Sequence, residues 1–202
     1  VADSYDFLLP KTLQTGVQNF FNNANYPITI VNQILQGKFS ESLESLFRFT
    51  INTTIGIGGL FDPATNIGLE LKDEDFGQTL AVWGVENTPY LVLPLLGPSS
   101  VRDSLGRGVD YFADPTTIAL NNSDLEWVTW TIKALDIVER RSRHIEVLDD
   151  IERNSVDYYA AIRSLYRQRR NDLIYNGEVP ETDPFYGRSP DFPDDSELSY
   201  VN

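Results

Sequence analysis

Residues Tyr90–Asp103 read YLVLPLLGPSSVRD, an almost uninterrupted apolar run set between prolines in an acidic chain. Pro89, Pro94 and Pro98 lack the backbone donor that continues a helix, and Pro94 would spoil the middle of a central strand. The stretch therefore predicts a bent apolar hairpin carried by Tyr90, Leu91, Val92, Leu93, Pro94, Leu95 and Leu96. From Tyr90 to Pro98 it is nine residues long, well short of the roughly 20 that a membrane-spanning helix needs. It can dip into a bilayer or line a cavity, and its residue types fit a buried core segment equally well.

Outward from the hairpin, the chain reads as helix joined by loops. Leu13, Val17, Phe20, Phe21 and Ala24 recur at helical spacing, and Asn25 followed by Pro27 predicts a break and a new helix from Pro27 to Gln36. Ile28, Val31, Ile34 and Leu35 form the apolar face of that second helix, and Gly37 can take the positive φ of a helix C-terminus. Ser40 is the expected N-cap of the next helix, whose stripe is Leu43, Leu46, Phe47, Ile51 and Ile55. Gly56-Ile57-Gly58-Gly59 ends it, as a structural turn or a hinge; Leu60 and Phe61 follow where a phosphate loop would carry lysine and a hydroxyl. Asp73-Glu74-Asp75 precede Phe76 as an acidic first turn, and Gly84 stops that short helix. Two longer helices are expected from Glu126 to about Arg153 and from Ser155 to Asn176. Their charges balance, nine acids against nine bases between Glu126 and Asn176, as on a solvated face, with Arg167, Arg169 and Arg170 a secondary candidate for phosphate headgroups. The fold class expected is all-α.

With 202 residues the chain is long enough for one domain with a sizeable core, here 1–177, plus a tail. Residues 178–202 carry seven acids against Arg188, interspersed with four prolines, which predicts a disordered acidic tail. The net charge of -14 argues against nucleic acid and against anionic headgroups as electrostatic partners, so membrane association has to rest on apolar surface. No cysteine is present, which excludes disulfides and thiolate chemistry. No secretory hydrophobic region or stop-transfer helix stands in the sequence, which reads as a mature or trimmed form.

Signals for enzymatic chemistry are thin. His144 is the sole histidine, among Arg140, Arg141, Arg143 and Glu146, and reads as a surface residue. Ser99 or Ser100 with His144 and Asp103 has the residue types of a triad, but no nucleophile-elbow pattern surrounds either serine. Asp73-Glu74-Asp75 and Asp149-Asp150 lack calcium-loop spacing and read as capping or solvent-exposed carboxylates. No catalytic residue, metal or cofactor is expected.

Several words in order resemble the MlaA (VacJ) family: Asn32 to Gly37, Arg48-Phe49-Thr50-Ile51-Asn52-Thr53-Thr54 through Gly59-Leu60-Phe61-Asp62-Pro63-Ala64, Asp75 to Leu80, Trp83-Gly84-Val85, and Pro89 through Pro98 with Arg102-Asp103. The resemblance runs from about Leu9 to Gly177. Family members open with a signal peptide, a lipidated cysteine and an Asp-Pro-Leu-Glu-x-Phe-Asn-Arg-like segment, whereas this chain opens at Val1-Ala2-Asp3. The resemblance implies a ring-like helical domain and a non-enzymatic transporter that removes mislocalised phospholipid from the outer leaflet of the Gram-negative outer membrane. It implies a place in the inner leaflet on the periplasmic side, with a trimeric porin and a periplasmic lipid-carrier protein as partners. It assigns the hairpin to membrane and lipid contact, Gly56, Gly58, Gly59, Leu60 and Phe61 to a channel turn or hinge, and Ser99, Ser100, Val101, Arg102 and Asp103 to porin contact. The alternative is a porin-associated structural lipoprotein with an indirect effect on lipids, and a lipid hydrolase ranks third.

The chemistry suits such a passage. Two acyl chains of about 16 methylenes each, at about 0.8 kcal/mol per methylene, make transfer through water cost on the order of 25 kcal/mol. Drawing a zwitterionic headgroup through hydrocarbon is also costly. Gln18, Asn19, Asn22, Asn23, Asn32, Gln33 and Gln36 beside apolar faces fit a lining that serves the headgroup, and fit helix faces in plain water equally well.

Overall fold

The computed structural model describes residues 10–85, 88–94 and 96–178; Leu95, the first nine residues of the expected domain and the acidic segment from 179 onward lie outside that range. The described chain is all-helical apart from one small hairpin. In order it runs α1 (Lys11–Leu35), α2 (Phe39–Thr54), α3 (Pro63–Asn66), α4 (Phe76–Val82), β1 (Tyr90–Leu93), β2 (Gly97–Ser100), α5 (Val101–Ala113), α6 (Pro115–Asn121), α7 (Glu126–Asn154) and α8 (Tyr158–Ile174).

The break expected at Pro27 does not occur. Pro27 lies inside α1, a single helix of 25 residues. The missing N–H leaves the Asn23 carbonyl without its usual helical donor, yet both flanking turns bury side chains, Phe21, Asn23 and Tyr26 before the proline and Thr29, Asn32 and Gln33 around the next turn. Tertiary packing on both sides outweighs the local break.

The turn from α1 to α2 is made by Gly37 at φ 78. The Gly37 N–H donates to the Ile34 carbonyl at 3.0 Å and the Lys38 N–H to the Gln33 carbonyl at 2.8 Å, a Schellman closure. So abrupt a turn restarts the helix at Phe39 with Lys38 at the N-cap, and Ser40, the expected cap, falls inside the helix. Only three residues separate the two helices, which pack as an antiparallel pair.

Other helix starts are capped by side-chain acceptors, and the acids expected in the first turn of α4 lie ahead of it, with Asp75 as its N-cap. The Asp75 carboxylate accepts from the Gln78 N–H at 2.8 Å, the Ser100 hydroxyl from the Asp103 N–H at 3.1 Å, and the Asp157 carboxylate from the Ala160 N–H at 3.0 Å. Gly84, at φ 96, follows α4 as anticipated. The hairpin is antiparallel, with Tyr90 opposite Ser100, Val92 opposite Pro98 and Leu93 opposite Gly97. Pro94 falls beyond the end of β1, and Pro98 is tolerated because a two-stranded sheet is all edge. α4 and α5 cross where a Cβ on Gly106 would stand 2.3 Å from the Gly77 nitrogen, so the contact requires glycine. Among the described residues no helix is long and apolar enough to cross a membrane.

Candidate functional site

Burial on α1 and α2 is inverted relative to a water-soluble helix pair. On α2 the buried residues are Ser42, Ser45, Arg48 and Asn52, one face by their spacing, while Phe47 is 62 % and Ile55 70 % exposed and Leu43 and Leu46 also point outward. On α1, Asn23, Thr29, Asn32 and Gln33 are buried while Val31, Ile34 and Leu35 are exposed. The apolar stripes expected on the second half of α1 and on α2 exist and face outward, whereas in the first half of α1 Phe21 is buried and Val17, Phe20 and Ala24 are half-buried. Among the described residues the buried apolar set is small, Phe21, Tyr26, Ala64, Ala81 and Ile162. Each large aliphatic or aromatic side chain left in water forgoes about 1.5–3 kcal/mol of transfer free energy, so these outward stripes leave a sizeable apolar surface without a partner in the chain.

A polar interior must be satisfied internally, and Arg48, 2 % exposed, organises one half of it. Its guanidinium donates to the Tyr26 hydroxyl, the Thr65 hydroxyl at 3.0 Å, the Leu69 carbonyl and the Asp62 carboxylate. Asn52 donates to Asp62 at 2.9 Å and accepts from the Ala64 N–H at 3.1 Å. Burial pushes the Tyr26 phenol up to about 12 despite Arg48. Burial also acts upward on Asp62, but bonds from Thr65 and Asn52 and the charge of Arg48 outweigh it and hold the carboxyl below its ordinary value.

This network fastens the segment after the glycine turn. Ile57, Gly58 and Gly59 all have positive φ, at 54, 68 and 89. The Gly58 and Gly59 N–H groups cap α2 by donating to the Thr53 and Asn52 carbonyls, each at 2.9 Å. A Cβ on Gly56 would stand 2.4 Å from two backbone carbonyl oxygens, and one on Gly59 would stand 2.5 Å from the Asn23 Cβ. Leu60 and Phe61 follow on the surface, and Asn19 donates to the Leu60 carbonyl at 3.3 Å.

The other half lies behind the hairpin. Arg170 of α8 makes paired bonds to Asp75, at 2.7 and 2.9 Å, and a third to Asp103 at 2.9 Å. Asp103 also accepts from Arg102 at 2.9 Å and from the Tyr166 hydroxyl. Desolvation acts upward on both carboxyls, but the Arg170 charge and bonds dominate and hold both below the ordinary range. Burial and the bond to Asp103 push Tyr166 up to about 12. Arg170 is therefore an internal clamp joining α4, α5 and α8, which corrects its place in the headgroup-facing basic group. Glu74 is also not solvent-exposed: it is buried and bonded by Lys38 at 2.7 Å and Gln36 at 2.8 Å, with burial raising its pKa.

Of the hairpin residues, Val92, Pro94 and Leu96 are exposed and Tyr90, Leu91 and Leu93 are half-buried. Tyr90 packs edge-on against Tyr159, with ring centres 5.6 Å apart. Of the five residues after it, Val101 alone is on the surface; Ser99, Ser100, Arg102 and Asp103 are buried. The Ser99 hydroxyl is shared with Ser104 at 3.0 Å, Ser100 caps α5 and Asp103 is held by Arg102, Arg170 and Tyr166, while the His144 side chain lies outside the described residues.

One feature escaped the sequence. α1, α6 and α7 enclose a cleft of about 30 Å³ with Asp114, Thr117, Thr129, Lys133 and Asp136 on its polar side and Phe21, Leu120 and Ile132 on its apolar side. Asp114 is buried, accepts from the Thr117 hydroxyl at 2.7 Å and lies 3.4 Å from the Lys133 ammonium. Its lining comes from three helices that no local pattern links.

A family model described as MlaA lipoprotein matches residues 1–173. An uncharacterized protein of Rickettsia prowazekii is 36% identical over 177 residues, covering 87% of this chain and 69% of that protein. The Escherichia coli protein named intermembrane phospholipid transport system lipoprotein MlaA is 31% identical over 192 residues, covering 91% of this chain and 72% of its own. A solved chain from "Structural basis for maintenance of bacterial outer membrane lipid asymmetry" superposes with a TM-score of 0.72 at 30% identity, covering 86% of this chain and 85% of that one.

Proposed function

Because the chain belongs to the MlaA lipoprotein family, we propose that it is a non-enzymatic phospholipid transporter in the inner leaflet of the outer membrane. It takes mislocalised phospholipid from the outer leaflet and releases it on the periplasmic side to a lipid-carrier protein. The observation that carries this reading is the inverted burial of α2 and of the second half of α1, with Ser, Thr, Asn, Gln and one arginine inward and Leu, Ile, Val and the phenylalanines of α2 outward. An apolar exterior matches acyl chains, and a polar interior gives headgroups fixed partners that hydrocarbon lacks.

The hairpin contributes Val92, Pro94 and Leu96 to the lipid-facing surface, continuous in chemistry with Leu60 and Phe61 after the glycine turn. Gly56, Gly58 and Gly59 set the conformation of that turn. Contact with a trimeric porin through Ser99–Asp103 is made by Val101, while the buried neighbours hold α5 in place. The test is transfer of labelled phospholipid between donor and acceptor bilayers by the pure protein, with release of fatty acid or headgroup monitored in parallel. Transfer without hydrolysis is expected. Hydrolysis products would replace this reading by an enzyme, and absence of transfer would leave a structural lipoprotein.

A further inference from the structure

We propose that the cleft between α1, α6 and α7 is a headgroup site for phospholipids bearing a primary ammonium, of the phosphoethanolamine type; this rests on the phospholipid-transport reading above. The carboxylates of Asp114 and Asp136 accept from the ammonium, and Lys133 takes the phosphate.

Four observations support this assignment. The cleft places acid and base together: Lys133 is 3.4 Å from Asp114, a loose pair that a zwitterion of the opposite arrangement can replace without leaving either charge unmatched. Asp114 is buried and already has the Thr117 hydroxyl at 2.7 Å holding its orientation, so the acceptor is preorganised. The volume of about 30 Å³ holds two or three water-sized groups, room for an ammonium and its methylene. Finally, Phe21, Leu120 and Ile132 form an apolar wall beside the charges, as an amphiphile requires.

Hydrogen bonding separates the candidate lipids further. A primary ammonium has three donors for the carboxylates, whereas a quaternary ammonium has none. A headgroup whose only charge is the phosphate would lie beside two carboxylates and one lysine, a local balance that repels it. The site therefore ranks phosphatidylethanolamine above phosphatidylcholine and phosphatidylglycerol.

The test titrates the full chain in detergent with dihexanoyl-phosphatidylethanolamine, -choline and -glycerol, following amide resonances by NMR. The ethanolamine lipid should shift signals of Asp114, Thr117 and Lys133 and bind about tenfold more tightly than the other two, the effect of one well-matched charge contact. Asp136→Asn and Lys133→Met should each weaken its binding about tenfold; Asp136→Asn, at a partly exposed position, is the deciding variant, because Lys133→Met also takes the ion-pair partner from buried Asp114 and should lower the melting temperature. Equal binding of the three lipids, or shifts confined to residues away from the cleft, overturns the proposal. In bilayer transfer, wild-type protein should move the ethanolamine lipid faster than the glycerol lipid, and Asp136→Asn should level the two rates. Level rates in the wild type overturn the headgroup site and leave transport standing. Ethanolamine-specific binding without transfer of any lipid would do the reverse.

Discussion

Replacing Gly59 by alanine tests whether the turn after α2 is held by backbone conformation and by its fit against α1. Gly59 has φ 89, where an L side chain costs about 1–2 kcal/mol. Its new Cβ would lie 2.5 Å from the Asn23 Cβ and 2.7 Å from Nδ2, so α1 and the turn must separate or Asn23 must rotate. Rotation breaks the 2.9 Å bond from Asn23 to the Thr53 hydroxyl, about 1 kcal/mol net. Overpacking of this order adds about 1–3 kcal/mol, for a combined loss of about 3–6 kcal/mol. Gly58, at φ 68 with nothing within 4 Å of an added Cβ, should lose only the conformational part, about 1 kcal/mol. At about 2–4 °C per kcal/mol for a chain of this size, Gly58→Ala should lower the melting temperature by about 3 °C and Gly59→Ala by about 9 °C or more. Ile57, a β-branched residue at φ 54 and 64 % exposed, is the opposite case. Ile57→Gly relieves strain, less the added freedom of the unfolded chain, and should be neutral or raise the melting temperature by up to about 3 °C. Scanning calorimetry with lipid transfer measured on the same samples decides it. Equal losses for Gly58→Ala and Gly59→Ala would refute the contact with Asn23, and no loss from either would refute the strained turn altogether.

On the hairpin, Val92→Asp and Leu96→Asp should each weaken vesicle association by about 2–3 kcal/mol, or 30- to 150-fold, as measured by co-sedimentation; undiminished binding removes the hairpin from the lipid-facing surface. Stability should pass through a maximum at mildly acidic pH. Burial raises Glu74 and also Asp110, a half-buried residue of α5 whose carboxylate accepts from the Phe76 N–H at 2.9 Å and the Asn32 amide at 3.0 Å, so their contribution is fully present below ordinary carboxyl values and lost as pH rises through the raised ones; Asp75 and Asp103 are held low, so theirs is present above 3.8 and lost as pH falls further. A melting temperature that falls steadily from pH 7 to pH 5 would contradict this. Gln33 is fully buried with neither amide atom hydrogen-bonded, so Gln33→Leu should raise stability by about 1 kcal/mol or more; a clear drop in the denaturation midpoint would show that the amide is satisfied in solution.

The sequence specified the punctuation of this fold well, because punctuation is local chemistry. Gly37 and Gly84 sit where positive φ is needed, Asp75 caps α4, and the prolines confine Tyr90–Ser100 to a hairpin. Pro27 misled because the loss of one helical bond is weighed against packing on both flanking turns, which no local window contains. The cleft and the Arg170 clamp were illegible for a related reason: Arg170 reads as one of nine bases on a balanced surface, and only the approach of α4 and α5 at Gly77 and Gly106 brings Asp75 and Asp103 within its reach. Helical periodicity is also blind to which face is inside, since an apolar stripe has the same spacing whether it meets a core or a bilayer. Composition of the opposite stripe carries the missing sign. A face turned to water is usually charged, because isolated charges are costly to bury, and α7 and α8 follow that pattern with many acids and bases. The inward face of α2 is Ser42, Ser45, Arg48 and Asn52, short uncharged groups that can be satisfied within a protein, with one cation that cannot be left alone. Arg48 meets four acceptors, three of them supplied by residues 62–69 beyond the glycine turn. The same turn that exposes Ile57, Leu60 and Phe61 thus delivers the carboxylate that allows an arginine to be buried, and the outward apolar surface and the inward polar network follow from a single chain reversal.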